Sequence, residues 1–329
     1  MASIPIPVHA GHHNHLRPLN ILRDLPAVAD LIELCFSETM DREGQRYVQD
    51  MRRAGRDDRF LRWATRMAET TSLPLTGYVW DENGKIEGNA SLVPFRYRGR
   101  KLYLIANVAV HPDHRRGGIA KALTERCLAH ARERRVGSIW LHVRDDNPGA
   151  IHLYTGLGFR ERARRTAWQG KGDFTTASPN PGISITNRPA QQWTQQQAWL
   201  KRAYPESLAW YRTWNFSSLR PSFWNWLVTT FMDINIRQWS ASAGGTRTLE
   251  GILAWIPAGN ESNGLWLAAP PNARPDAIAG LLQHARRALA PHIQLALDYP
   301  AGEFEEAIRS AGFSPQRTLI WMQYMGASS

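Results

Sequence analysis

From residue 119 onward the apolar side chains Ile119, Ala122, Leu123, Cys127, Leu128 and Ala131 return every three or four positions. That repeat lines one face of an α-helix, and Gly137 marks its expected end. Residues 138–143, Ser-Ile-Trp-Leu-His-Val, then read as a buried strand. Upstream, the pattern predicts a short strand over 15–19 and a helix over 25–36, with Leu25, Val28, Ala29, Ile32 and Phe36 on one stripe. A basic helical region follows over 41–70. Strands over 74–81 and 85–94 flank the turn sequence Glu82-Asn83-Gly84, and a central strand spans 101–110. A last strand over 160–169 closes this half.

Residues 170–189 are rich in Gly, Pro, Ser, Thr and Asn, which marks a linker. Beyond it the pattern repeats in outline. Residues 250–257 echo 87–94, 264–269 stand where the central strand stood, and a helix over 275–289 precedes a strand over 292–298. Ala311-Gly312-Phe313 matches Leu157-Gly158-Phe159 before a final strand over 317–325, so the second half reads as an internal duplication. Eleven of the 14 tryptophans fall from Trp168 onward, as expected of rings filling a core or a domain interface.

At 329 residues and 43% apolar content the chain can build two sizeable cores. No run approaches the ~18 apolar residues of a membrane span, and residues 1–15 lack the pattern of a signal peptide. Two cysteines, Cys35 and Cys127, both in helical patterns, suggest neither a disulfide framework nor a metal site. A reducing cytoplasm is the expected compartment. The net charge of +11 is uneven, with 27 basic against 19 acidic residues over 1–168. That excess suits a polyanionic ligand, a solvated arginine-rich surface or an RNA-facing one.

The chemistry concentrates between Val108 and Ala120: Val-Ala-Val-His-Pro-Asp-His-Arg-Arg-Gly-Gly-Ile-Ala. An apolar strand there runs through a basic, glycine-rich loop into a helix. The first amides of a helix lack carbonyl partners and carry the positive end of its dipole. Gly117 and Gly118 let backbone N–H groups close on a phosphate, while Arg115 and Arg116 add forked donors. Neither the Lys-Ser/Thr pair of a Walker loop nor a Gly-x-Gly-x-x-Gly fingerprint is present.

Arg115-x-x-Gly118-x-Ala120, preceded by Val108-x-Val110-x-Pro112, resembles motif A of the GNAT acyltransferase superfamily. Asn147, Ala150, Tyr154, Gly158 and Phe159 resemble its second hallmark, one strand–helix unit further on. The resemblance implies an α/β (α+β) fold of two GNAT-like domains, each a mixed, mostly antiparallel sheet with helices on both faces. Domain limits of 1–169 and 190–329, joined by 170–189, follow, with the second copy degenerate: its loop, Ala269-Pro270-Pro271-Asn272-Ala273-Arg274-Pro275, lacks the glycines.

The resemblance further implies acetyl-CoA as co-substrate, held by Val108, Ala109, Val110, Arg115, Arg116, Gly117, Gly118, Ile119, Ala120 and Asn147. Tyr154 matches the family's general acid, and a backbone amide near Val108 is placed to steady the oxyanion. Asn147 can equally serve as a helix cap. An amine of a small molecule or peptide is the implied acceptor, and no metal is implied. No general base is identifiable: the central strand carries neither Glu nor His, and Glu38, Asp41, Glu87 and His111 have no spacing that singles one out. The histidine-rich stretch 9–15 reads as a tail rather than a metal site. A catalytically weak acyl-CoA sensor and an RNA-directed acetyltransferase are the competing readings.

Overall fold

In the computed structural model, Asn20 opens the first helix by accepting the Leu22 N–H at 3.1 Å, so helix α1 (Ile21–Phe36) starts four residues earlier than its apolar stripe predicts. The structure describes residues 15–40, 42–67, 71–173, 180–211, 216–222, 236–244, 248–257, 263–289, 291 and 293–326. Two compact units divide the chain, Met1–Arg162 with Trp321–Ser329, and Ala163–Ile320.

In the first unit, strand β1 (Leu16–Pro18) is followed by α1 and then by two helices, α2 (Arg42–Ala54) and α3 (Asp58–Met67). The basic region predicted as one helical stretch breaks at 55–57. There the Asp57 carboxylate accepts the N–H groups of Arg59 and Phe60 at 2.9 and 3.1 Å and begins a new helix. Leu25, Val28, Ile32, Val48 and Leu61 form one core on this face.

Strands β2 (Thr76–Glu82), β3 (Lys85–Tyr97) and β4 (Arg100–Val110) form an antiparallel meander. Arg98 and Gly99, at φ 49° and 76°, make the tight turn between the last two. Helix α4 (Ile119–Glu133) crosses to β5 (Ser138–Arg144), which pairs parallel with β4. α4 stops short of Gly137 because Arg135 itself takes the left-handed conformation, at φ 50°. Helix α5 (Pro148–Gly156) leads into β6 (Phe159–Lys171), and the end of strand β12 (Ser314–Tyr324) completes the unit. Trp321 lies 4.9 Å from the His142 ring of β5, and the Met325 N–H donates to the Gly158 carbonyl at 3.0 Å.

In the second unit the order is β12-β6-β11-β10-β9-β8-β7. β7 (Ile183–Asn187), β8 (Arg237–Ala243), β9 (Leu249–Ile256) and β10 (Asn263–Ala268) are antiparallel neighbours, and β11 (Gln294–Pro300) is parallel to β10. Helix α6 (Trp193–Ala203) lies between β7 and β8 in sequence, α7 (Pro275–Ala288) joins β10 to β11, and α8 (Glu305–Ser310) precedes β12. The sequence of pairings from β7 to β11 reproduces that from β1 to β5. Trp168, Leu200, Trp239, Trp255 and Tyr299 are among the buried residues of its core, so these rings serve packing. The stretch 170–189 is partly structured, since β6 runs to Lys171 and β7 forms an edge strand. Edge strands bury little, which is why a polar Ser/Thr-rich segment can serve.

Candidate functional site

β4 and β5 pair from Leu102↔Ser138 to Ile105↔Leu141 and then part, while β3 follows β4 to Val110. Among the described residues one edge of β4 therefore has no strand beside it over its last residues. The β3–β4 register slips there, with Ser91 opposite Ala106 but Asn89 opposite Ala109. Asn107 takes φ 52° in this bulge. Its carbonyl accepts the Asn89 side-chain amide at 2.8 Å, and its own side-chain amide donates to the Tyr47 hydroxyl at 2.6 Å. The His111 N–H donates to the Glu87 carbonyl at 2.9 Å. By antiparallel alternation the backbone groups of Val110 then face the open edge. The Val110 carbonyl accepts the Cys35 thiol at 3.2 Å and Arg115 Nε at 3.3 Å. Val108 and Val110 are half-buried and Ala109 is fully buried.

The loop after β4 is held by a single turn of 3-10 helix, Pro112–His114. Arg116 and Gly118 then take φ 69° and 82°, turning the chain into α4. Gly118 is the N-cap, no side chain caps it, and no acid lies in the first turn. Arg115, Arg116, Gly117 and Gly118 are exposed, and Arg116 makes no ion pair among the described residues. Among the described residues outside its own chain neighbours, nothing lies within 4 Å of a Cβ placed at Gly118. These features suit the pyrophosphate of a CoA thioester: free helix amides, a left-handed turn and two guanidinium groups. The Ile119 side chain points inward instead. It packs against Gly88, where an added Cβ would come within 2.8 Å of Ile119 Cγ2.

Tyr154 sits on α5, 7% exposed, with its ring edge-on to Phe159 at 6.1 Å. Burial, reinforced by the neighbouring Cys127, pushes its phenol well above the ordinary tyrosine range. Asn147 caps α5, accepting the Ala150 N–H at 3.0 Å. Its side-chain carbonyl is thus spent on the cap.

Of the residues considered for a base, Glu38 is exposed and Asp41 lies outside the described residues, as do His9, His12 and His13. Glu87 and His111 come together, and His114 joins them: the ligand atoms of the three lie within 4.8 Å of one another. Glu87 is the extra residue of a second bulge, since Trp80 pairs with Gly88 and Asp81 with Ile86. Sequence periodicity cannot show a bulge, so neither this cluster nor the approach of Tyr47 to Asn107 was readable from spacing.

The second unit repeats the bulge at Glu250, between Ala241↔Gly251 and Ser242↔Leu249. There the carboxylate accepts the Arg274 N–H at 2.9 Å. Pro275 occupies the first helical turn, and Asp276 sits at the same end, paired with Arg274 at 2.6 Å. A proline without a donor and two carboxylates oppose an anion at this helix start. A cavity of about 480 Å³, lined by Arg188, Arg237, Gln238 and Trp239 among others, belongs to this unit and holds none of the predicted site residues.

The acetyltransferase (GNAT) family profile matches residues 27–159. The [Ribosomal protein bS18]-alanine N-acetyltransferase of Escherichia coli (strain K12) is 44% identical over 59 residues, 18% of this chain and 40% of that protein. The mycothiol acetyltransferase of Saccharomonospora viridis is 33% identical over 112 residues, 34% of this chain and 35% of that one. The chain thus spans about two-fifths or less of the length of these curated relatives. The crystal structure of a GCN5-related N-acetyltransferase from Sphaerobacter thermophilus superposes with TM-score 0.54 at 15% identity, covering 94% of this chain and 95% of its own, a likeness of fold. Among the described residues no helix is long and apolar enough to cross a membrane.

Proposed function

Through residues 27–159 the chain belongs to the acetyltransferase (GNAT) family, and on that premise we propose that it transfers an acetyl group from acetyl-CoA to an amine of a small molecule or peptide. The observation that carries this reading is the uncapped start of α4 beside the open edge of β4. Acetyl-CoA supplies an activated thioester. The amides at 118–120, with Arg115 and Arg116, hold its pyrophosphate. Backbone groups of Val108 and Val110 on the open edge orient the arm that leads to the acetyl group, and the bulge at Asn107 presents the amide near Val108 to a developing oxyanion.

Tyr154 keeps its proton throughout the neutral range, so it serves as the hydrogen-bond donor to the departing sulfur. Asn147 fixes α5, and hence Tyr154, by capping it. The acceptor follows from chemistry alone. An amine of ordinary lysine basicity costs about 4–5 kcal/mol to deprotonate at pH 7, so the acceptors best served here are α-amines or others of low pKa. The relatives named for an alanine of a ribosomal protein and for mycothiol are consistent with a protein or a small molecule in that place.

Calorimetric titration with acetyl-CoA tests the reading. Wild type should bind, Gly118→Ala should bind more weakly through backbone strain, and Gly118→Glu should not bind. Equal affinity of Gly118→Glu and wild type would overturn the loop assignment.

A further inference from the structure

Glu87 is 7% exposed, yet among the described residues its carboxylate accepts no hydrogen bond. Its surroundings are two imidazoles. Glu87 Oε2 lies 3.9 Å from His111 Nδ1 and 3.9 Å from His114 Nε2. The other nitrogen of the His114 ring, Nδ1, lies 3.5 Å from the carboxylate of Glu82. His111 Nδ1 also accepts the Asp113 N–H at 3.3 Å, a long bond, and lies 3.7 Å from the Asp113 carboxylate. We propose that Glu87, His111 and His114 form a binding site for one divalent transition-metal ion, Zn²⁺ by ligand chemistry.

Three arguments support the site. The first is composition: two imidazoles and one carboxylate are a three-ligand zinc set, leaving a fourth position for water. Bonds of about 2.0–2.1 Å place tetrahedral ligand atoms roughly 3.4 Å apart. The two carboxylate–imidazole separations of 3.9 Å therefore close by about half an ångström. The two imidazole nitrogens, within 4.8 Å of each other, close by up to about 1.4 Å through rotation of the half-exposed side chains of His111 and His114. The second is the outer partner. A carboxylate on the far nitrogen of a ligating histidine fixes its tautomer and raises its basicity, and Glu82 stands at that nitrogen of His114.

The third argument comes from the chain's own duplicate. Glu250 occupies the equivalent bulge and is also buried, but the Arg274 backbone N–H satisfies it. In the first unit the bulge aims the same carboxylate at histidines. A divalent ion there neutralises the carboxylate and joins β3 to the loop between β4 and α4.

The test is calorimetric titration of the full, chelator-stripped chain with Zn²⁺. One equivalent should bind, and His114→Ala and Glu87→Gln should abolish that event. Glu82→Gln should weaken it about 10–100-fold. A double variant, His12→Ala with His13→Ala, should retain it, separating this site from the histidine-rich stretch near the start of the sequence. Absence of binding by wild type would make the cluster a plain carboxylate–imidazole pair and overturn the proposal. Binding lost with His12 and His13, or unchanged in His114→Ala and Glu87→Gln, would overturn it as well. None of these outcomes depends on acetyl-CoA.

Discussion

The side-chain amide of Asn107 donates to the hydroxyl of Tyr47 at 2.6 Å, which ties helix α2 to the bulge in the central strand. Burial pushes the Tyr47 phenol up to about 12, although the Asn107 bond pulls it the other way. Tyr47→Phe leaves the Asn107 amide without this acceptor and should lower stability by about 1 kcal/mol in urea unfolding. Amide exchange at Ala109, which pairs with Asn89 across the bulge, should quicken in the same variant, since the bond braces the bulge. Unchanged exchange would show that the bulge holds without Tyr47.

Gly88 is a site of close approach. A Cβ there would lie 2.8 Å from Ile119 Cγ2, 3.0 Å from Leu123 Cδ1 and 3.1 Å from Trp80 Cβ. Gly88→Ala should cost about 1–3 kcal/mol by overpacking and displace the first turn of α4. Acetyl-CoA affinity should fall with it, measured by the same calorimetry at a temperature where the variant is folded. Full affinity in a destabilised Gly88→Ala would mean that the loop position does not depend on this packing.

Tyr154→Phe should leave acetyl-CoA binding intact and slow acetyl transfer by about 10²-fold or more. The pH profile has a definite sign. Burial raises the phenol above its ordinary value near 10, so the protonated donor is lost only as pH rises beyond that value. No loss of rate between pH 7 and 9 should trace to Tyr154. A wild-type rate that falls in that range and a Tyr154→Phe rate that does not would contradict the assignment.

Asp24 is 2% exposed and receives Arg17 at 2.6 and 3.1 Å, the Asn20 N–H at 2.8 Å and Arg23 at 3.0 Å. Burial pushes its carboxyl up, but the bonds from Arg17, Asn20 and Arg23 together outweigh it and hold the group below its ordinary value. A depressed folded pKa contributes stability that is present above the unfolded value near 3.9 and fades as pH falls through the folded one. Asp24→Asn should therefore cost about 1.5–3 kcal/mol at pH 7. The gap from wild type should shrink below about pH 4, read from urea midpoints at both pH values.

Local patterning carried most of the elements. The helix from Ile119, the strand from Ser138 and the second-half helix from Pro275 stand where their apolar spacing puts them. Each owes its position to contacts a few residues away, which a periodic pattern records. Bulges and turns of left-handed residues were less visible. Asn107 and Glu87 are exceptional only relative to the strand opposite, and Arg135 took over the turn that composition assigned to Gly137. The parting of the chain at 162 and 320, rather than in the Gly- and Pro-rich stretch, left no compositional mark, because a strand that passes from one unit to the other looks like any other strand.

That crossing has a consequence for synthesis. Residues 321–326 complete the first unit, yet a ribosome delivers them only after all of 163–320. The first unit is thus encoded first and finished last. Its closing contacts, Trp321 on His142 and Met325 on Gly158, wait until the intervening unit has emerged. A nascent chain stalled before residue 314 should carry the motif loop without the strand that completes its sheet.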